Sequence, residues 1–462
     1  MSGSRKVRER HCPAALVAIG IAVALAGACS AAGNSPPAWA VRHVAVFDSE
    51  AKRLVSDQTI VVRSERIERA GNSAEVVPPK GAPVVDGRGK YVIPGLIDAH
   101  THVSTVLYSA FMTGDEILPF FLANGVTAIR VAGDGVVAQK LVWRYAEIHP
   151  ALSPRIFLAS PLIGSHPPIH PDAGWTVTRP DDVPAFVSAM AGWGVTSLKI
   201  YANCLPAVAR RVIEEGHRQG LMVIGHLSSY PVDDAIDDGI DSIEHIESVS
   251  DFLRTDPKDR HSLEISTART SALVSKIAKR GTFVDPTLSV YWGTLFFADV
   301  PEVIEHPDNL GMPERLRKFW AEDREKRLKN YSAGPLERRQ RTFEQYKSLA
   351  GILYRAGAKL LVGTDAPEPQ VPPGYSLHHE MQLLVESGVP PAEVLRAATW
   401  NNAAVVRRQH EIGSVRAGML ADFVILDADP LADIRNTRKI FRVVKGGQML
   451  EPSVVLRSVP RE

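Results

Sequence analysis

Short apolar segments alternate with helical patterns along the middle of the chain, from about residue 96 to residue 405. Each segment is brief and bounded by turn residues, which is typical of strands buried in a parallel sheet. Eight strands separated by helices over roughly 300 residues are what a parallel (β/α)8 barrel requires. The sequence therefore predicts an α/β fold with a (β/α)8 TIM barrel over residues 95–405. The predicted strands are residues 96–102, 126–131, 155–163, 195–201, 221–226, 240–245, 281–286 and 359–365.

Both ends of the chain are predicted to be rich in β-structure. Their short segments carry β-branched side chains, and Gly, Pro and Asn stand between them where turns are needed. We therefore predict one small β-sandwich domain that is built from both termini, over residues 41–94 plus 406–462. Its clearest predicted strands are residues 43–47, 58–62, 84–85, 422–426 and 441–444.

One interval within the barrel region is unusually long. Residues 287–358 contain a charged segment with helical character, residues 314–345. We predict that this interval is a helical insertion over the barrel mouth. A run of charges on a helix is typical of a solvated face, and we interpret this run as one.

The first 28 residues have the pattern of a secretory signal peptide. A basic head, residues 4–10, precedes an apolar run of small residues, 14–28, which is too short for a typical membrane span. Cys29 follows directly and resembles a lipoprotein processing site, while a second Ala-x-Ala pattern lies at residues 38–40. We therefore expect an exported protein that is periplasmic, extracellular or lipid-anchored at the cell surface through Cys29.

The balance of charges excludes one class of partner. The chain has 53 basic and 52 acidic residues and a net charge of +1, so it lacks the electrostatic footprint of a nucleic-acid-binding protein. Of its three cysteines, Cys12 and Cys29 belong to the predicted signal region, and only Cys204 lies in the folded body. No internal disulfide is therefore expected in that body.

Side chains able to bind a metal stand at the ends of five predicted strands. His100 and His102 project from one face of the first strand, because side chains alternate along a strand. Barrel enzymes place their chemistry where the strands end, at the carboxyl face. Each residue taken alone is more often structural, but together they predict a metal site. Its candidate ligands are His100, His102, Lys199, His226, His245 and Asp365.

This order of residues, with His-x-His first, then Lys, two single His and a final Asp, resembles the amidohydrolase superfamily. The segment Leu198-Lys199-Ile200-Tyr201 looks most like the imidazolonepropionase-related branch, which includes metal-dependent prolidases and related dipeptidases. The resemblance covers nearly all of the chain after the signal region. Five further segments also resemble the family: residues 93–102, 241–245, 361–365, 398–403 and 413–422.

The resemblance implies two divalent metal ions, usually zinc. It implies that His100, His102 and Asp365 hold the more buried ion, and that His226 and His245 hold the other. Lys199 would bridge the two ions as N6-carboxylysine. This modification agrees with the chemistry, since an ammonium group has no lone pair to offer a cation, whereas a carbamate presents two oxygens.

The resemblance also implies hydrolysis of an amide C–N bond. A hydroxide between the ions attacks the carbonyl, and Asp365 acts first as general base and then as general acid. Related enzymes often have a histidine after the third strand that touches the substrate carbonyl. His166 and His170 are the candidates here, and a structural loop role stays open for each.

Two tyrosines are candidates for substrate binding. Tyr201 lies two residues after Lys199 and therefore on the same face, where it can contact substrate or simply pack. Dipeptidase-like relatives commonly have a Tyr two places after the fifth-strand His. This sequence has Ser228 there, with Tyr230 two places further, which departs from the prolidase pattern.

The sequence leaves several functions open. The first is a secreted or membrane-anchored amidohydrolase with two metals, acting on a dipeptide or an N-acyl amino acid. A cyclic-amide hydrolase or a deaminase on the same scaffold is the alternative, although deaminases of the superfamily lack the bridging lysine. A non-catalytic binding protein would be expected to lose a ligand, and none is missing. The expected partner is a small amide or peptide; a homo-oligomer and the identity of the substrate stay open.

Overall fold

The protein is described from a computed structural model that covers residues 38–330 and 334–460. The predicted signal peptide, residues 1–28, and Cys29 lie outside these residues and stay predictions. The described chain begins with five strands in sequence. They are β1 (Ala38–Asp48), β2 (Arg53–Arg63), β3 (Arg66–Asn72), β4 (Val84–Asp86) and β5 (Tyr91–Pro94).

Ten further strands follow, and all of their pairings are parallel. They form a three-stranded sheet, β6-β7-β8, and a seven-stranded sheet in the order β10-β9-β11-β12-β13-β14-β15. Every strand predicted for the barrel is present, although the third is divided at Leu158. The strands are β6 (Leu96–Thr101), β7 (Val126–Val131), β8 (Arg155–Phe157), β9 (Ala159–Gly164), β10 (Gly174–Thr176), β11 (Ser197–Ile200), β12 (Met222–His226), β13 (Ser242–Glu244), β14 (Phe283–Asp285) and β15 (Lys359–Leu360).

The first of these parallel strands also bonds to the segment that follows the last. Ala99 N donates to Val362 O at 3.1 Å, and His102 N donates to Ala366 O at 2.7 Å. The Asn402 side chain reinforces this junction, since its amide donates to Val362 O at 2.8 Å and its oxygen accepts from Val362 N at 3.2 Å. Parallel strands joined by helices, with hydrogen bonds between the first strand and the segment after the last one, are those of a TIM-barrel-type α/β fold.

Helices occupy most of the connections between the parallel strands. In the described part of the chain, none of them is both long enough and apolar enough to cross a bilayer. The α-helices are α1 (Val106–Ser109), α2 (Gly114–Ala123), α3 (Val136–Ile148), α4 (Val183–Gly192), α5 (Pro206–Arg218), α6 (Val232–Asp237), α7 (Ile246–Leu253), α8 (Ala268–Arg280), α9 (Leu288–Phe296), α10 (Pro301–Ile304), α11 (Pro307–Leu310), α12 (Glu314–Asn330), α13 (Leu336–Arg355), α14 (Tyr375–Glu386), α15 (Pro391–Arg396), α16 (Asn402–Val405) and α17 (Pro452–Arg457).

The predicted insertion, residues 287–358, is helical and contains α9 to α13. Most of α12 is exposed, as a solvated face requires. However, Lys326 and Arg327 of α12 line the same cavity as the predicted metal ligands, together with Tyr291 of α9. These two residues thus lie at the edge of the cavity while remaining exposed, and the interpretation of the charge run as a solvated face stays a prediction.

Strands from both ends of the chain form one sheet. The last three strands are β16 (Phe423–Leu426), β17 (Ile440–Lys445) and β18 (Gln448–Leu450). The order of the sheet is β18-β17-β16-β5-β1-β2-β3, with β4 paired to β1, and β16 runs antiparallel to β5. The pairing of β16 with β5 joins the two ends, as the composite domain predicted. Its sandwich arrangement and its limits, 41–94 and 406–462, stay predictions.

Candidate metal centre

The fold brings the six predicted metal ligands to one place. A cavity of about 730 Å³ is lined by five of them, and the sixth, His100, is fully buried beside it. Five of them stand on or directly after the parallel strands β6, β11, β12 and β13, whereas Asp365 lies five residues beyond β15, which ends at Leu360. The five that line the cavity are His102, Lys199, His226, His245 and Asp365.

Three of these side chains make a compact set of ligand atoms. Asp365 Oδ1 lies 3.3 Å from His100 Nε2 and 3.1 Å from His102 Nε2. The three groups offer ligand atoms that all lie within 4.8 Å of one another. Two imidazole nitrogens and a carboxylate oxygen so close together fit a single divalent cation.

The other three side chains adjoin this set. Lys199 Nζ lies 3.4 Å from His100 Nε2, and the ring centroids of His226 and His245 are 4.3 Å apart. Burial lowers the pKa of Lys199 to about 8, so a fraction of the lysine is a neutral amine near neutral pH. A neutral amine is the form that reacts with CO2, and the resulting carbamate would make this donor set fit a second cation.

A buried carboxylate orients His100. His100 Nδ1 donates to Glu244 Oε2 at 2.7 Å, and Arg130 Nη2 donates to the same oxygen at 2.8 Å. Burial lowers the pKa of His100 to about 4, so the ring is neutral. With its one proton on Nδ1, the ring keeps the lone pair of Nε2 for a metal.

His102 and His245 are oriented in the same way by different partners. His102 Nδ1 lies 2.6 Å from Asp134 Oδ1, and His245 Nδ1 lies 2.9 Å from Thr287 Oγ1. Burial acts to lower the pKa of His102, but the Asp134 and Asp365 carboxylates outweigh it and raise the pKa to about 10. Two carboxylates around one imidazole also attract a metal ion, which competes with that proton.

Three residues of the site have a strained backbone. His245, Thr287 and Asp365 adopt positive φ angles of 67°, 46° and 70°. Residues other than glycine rarely occupy this region, and the strain persists only where the surrounding structure enforces it. Two of the three are predicted metal ligands and the third bonds one of them, so the strain coincides with the site.

The structure separates the predicted substrate-binding residues into two groups. His170 and Tyr201 line the cavity, and His170 Nε2 lies 2.8 Å from the Tyr201 hydroxyl. His166 is exposed in the same loop but does not line the cavity. Tyr230 is buried away from the cavity, where its hydroxyl donates to Asp238. The fold therefore brings His170 and Tyr201 to the metal ligands, but not His166 or Tyr230.

Sequence reasoning missed the residues that orient the ligands. Arg130 is a charge within the otherwise uncharged strand β7, and Glu244 directly precedes His245. A charge in a buried strand is a signal that could have identified both. Asp134 stands three residues after β7 ends, where a strand-end survey could have included it. Thr287 carries no such signal, because a threonine after a strand is common.

The geometry defines a class of protein: a metal-dependent enzyme whose ligands stand at the carboxyl ends of parallel strands. The sequence profile of the amidohydrolase family matches residues 91–450. The chain therefore belongs to the amidohydrolase family, whose members are metal-dependent hydrolases of carbon–nitrogen bonds, and it is similar to the prolidase-like branch.

Individual relatives agree with this assignment. An imidazolonepropionase from Geobacillus sp. is 42% identical over 73 residues, which are 16% of this chain and 17% of that enzyme. An adenine deaminase from Rubrobacter xylanophilus is 22% identical over 446 residues, which are 92% of this chain and 61% of that enzyme. The chain thus spans less than two thirds of the length of these two relatives.

A solved structure extends the likeness to the whole fold. A candidate prolidase from Bifidobacterium longum has a TM-score of 0.65 and 25% sequence identity. The match covers 92% of this chain and 99% of that one. It supports the TIM-barrel-type fold independently of the strand pairings.

We expect Asp134→Asn to weaken metal binding by about 10–100-fold, because the variant keeps the shape of the partner of His102 but loses its charge. The measurement is a titration of zinc against a competing chelator. Asp238→Asn is the matched control, since Asp238 bonds Tyr230 outside the cavity. Equal zinc affinity in the two variants would contradict the orienting role of Asp134.

Proposed function

We propose that this chain is an exported amidohydrolase with two metal ions that cleaves the amide C–N bond of a dipeptide or an N-acyl amino acid. One observation carries the proposal: six metal-competent side chains from five parallel strands and the segments that follow them meet at one place, where five of them line a cavity of about 730 Å³ and the sixth is buried beside it. A structural role explains each residue alone, but not their convergence on an accessible cavity.

The compact set of His100, His102 and Asp365 supports one ion among them, and the resemblance to amidohydrolases supports the rest of the assignment. We assign His100, His102 and Asp365 to one ion and His226 and His245 to the other, with Lys199 as the bridging N6-carboxylysine. Zinc is the metal we expect, since imidazole and carboxylate donors suit it. When bound, the ions supply a Lewis acid and an activated water.

The remaining chemistry belongs to side chains of this protein. Water attacks the carbonyl carbon of the scissile amide, and an Asp365 oxygen accepts its proton and then returns it to the leaving nitrogen. His170 and Tyr201 are hydrogen-bonded to each other on the cavity wall. Their position supports a role in donating a hydrogen bond to the oxygen of the tetrahedral intermediate.

The similarity to a candidate prolidase supports a dipeptide substrate. The relatives named imidazolonepropionase and adenine deaminase make a cyclic-amide hydrolase or a deaminase the second candidate. A substrate screen should therefore contain dipeptides, N-acyl amino acids, cyclic amides and aminopurines. Hydrolysis of only the last two classes would replace the main proposal by the second.

We expect Lys199→Ala to lose at least one metal ion per chain and nearly all activity, because it removes the proposed bridge. Metal content is measured on protein purified with zinc and bicarbonate, and 13C-labelled bicarbonate should give a carbamate signal in wild type only. Lys279→Ala, an exposed substitution on α8, is the control. Full metal content and activity in Lys199→Ala would exclude the two-metal scheme.

His170→Asn and His166→Asn form a matched pair in one loop. We expect the first to lower kcat by about 10²–10³-fold, which is typical for loss of a donor to the developing oxyanion. The second should leave kcat unchanged, because His166 does not line the cavity. Equal effects of the two substitutions on kcat would contradict the proposed role of His170.

Export and lipid anchoring are proposals that rest on the sequence of residues 1–29. We expect the full-length protein to fractionate with membranes of its host, and Cys29→Ala to release it into the soluble exported fraction. Immunoblotting of cell fractions measures this. A cytoplasmic location of both forms would contradict export, and release of wild type would contradict anchoring.

A further inference from the structure

Beyond the metal ligands, the cavity has a second wall, formed by the segment after α7 and by the helical insertion. Arg260 lines the cavity from the first of these, and Tyr291 and Lys326 line it from the second. Neither Ser228 nor Tyr230, from the loop after β12, lines the cavity. That loop therefore offers no side chain to an anionic part of a substrate.

Within the described part of the chain, Arg260 forms one long ion pair, and one of its donors has no partner. Its Nη2 lies 3.5 Å from Glu247 Oε1, and its Nε has no hydrogen-bond partner within residues 38–330 and 334–460. Glu247 already accepts from Arg254 at 3.0 Å and from the Tyr291 hydroxyl at 3.4 Å. Arg254 Nη2 also lies 2.6 Å from Asp251 Oδ1, so Arg254 is shared between two carboxylates. Glu247 therefore stays paired with Arg260, and what Arg260 offers a ligand is the part of its guanidinium that has no partner in the described chain, at Nε.

Lys326 is a second cation of this wall. It is exposed, and no carboxylate of the described chain lies within ion-pair distance of its ammonium group. Its neighbour Arg327 differs, since it is bonded to Asp323 and lies 3.9 Å from Glu368. Lys326 therefore differs from Arg254 and Arg327, whose charges are paired within the protein. Arg260 stands between these cases, since it is paired with Glu247 but keeps its Nε without a partner among the described residues.

We propose that Arg260, with Lys326 beside the cavity mouth, forms a subsite that binds a carboxylate of the substrate. The planar guanidinium donates two parallel hydrogen bonds to a carboxylate, which fixes its orientation as well as its charge. The inference rests on the proposed function and deepens it by assigning the residues that recognise the carboxylate of the substrate. The substrate carries a free carboxylate, as an N-acyl amino acid or a peptide with a free C-terminus does, and the corresponding carboxamides are poor substrates.

The test compares each dipeptide and N-acyl amino acid of a panel with its carboxamide, using zinc-loaded protein. We expect wild type to prefer the acids, and Arg260→Met to lower kcat/KM for the acids by about 10–100-fold while leaving the carboxamides unchanged. Arg280→Met is the control, since Arg280 pairs with Asp237 on the surface of α8. An unchanged preference in Arg260→Met would overturn the subsite and leave the proposed function intact.

A binding measurement separates the subsite from the reaction. Free amino acids, the expected products, should raise the Tm of zinc-loaded wild type more than their amides do, and Arg260→Met should remove this difference. If this difference in Tm is found but no panel member is hydrolysed, the subsite is supported and the proposed reaction is contradicted. If the protein neither hydrolyses a panel member nor is stabilised by the free amino acids, both the subsite and the proposed function are contradicted. If Arg260→Met does not fold, Lys326→Met on the exposed face of α12 tests the subsite, and an unchanged acid preference there would overturn it.

Discussion

The metal centre depends on a buried chain of charges from Arg130 through Glu244 to His100. Arg130 Nη2 donates to both Glu244 oxygens, at 2.9 and 2.8 Å, and none of the three side chains is exposed. Removing charges from water is expensive, and a buried pair compensates this only when its geometry is good and its other hydrogen bonds are made. The pair therefore links β7 to β13 in a fixed geometry, and it leaves Nε2 of His100 directed at the cavity.

A second constraint places Asp365 beside the histidines. Asp98 in β6 accepts from the Thr364 hydroxyl at 2.7 Å and from Thr364 N at 3.1 Å, so the first parallel strand holds the residue next to Asp365. Gly363 permits this approach, because a Cβ there would lie 2.2 Å from Asp285 Oδ2 and 2.6 Å from His100 Cβ. The ligand set therefore exists only while β6 and the segment after β15 stay in contact.

The cavity is lined by two parts of the fold, the strand ends and an outer wall, which differ in how closely their side chains are held by buried partners. The strand ends hold several of the predicted metal ligands in place through buried partners, as Glu244 does for His100 and Asp134 for His102. The loop that carries Arg260 and the insertion helix that carries Lys326 form the outer wall, where charge and shape can vary without disturbing the ligands. Such a division lets one scaffold serve related enzymes with different substrates, and the proposed carboxylate subsite lies in the outer wall.

From the sequence alone, the parallel strands and the candidate ligands that the fold brings together could be predicted, because strand periodicity and strand-end position are local properties of short segments. The contacts between distant parts of the chain could be known only from the tertiary structure, because local patterns carry no information on them. It paired Arg130 with Glu244 and His102 with Asp134, residues far apart along the chain, and it brought His170 rather than His166 to the cavity. Such choices depend on which strands and loops become neighbours in the folded chain, and that is set by packing and by the compensation of buried charge.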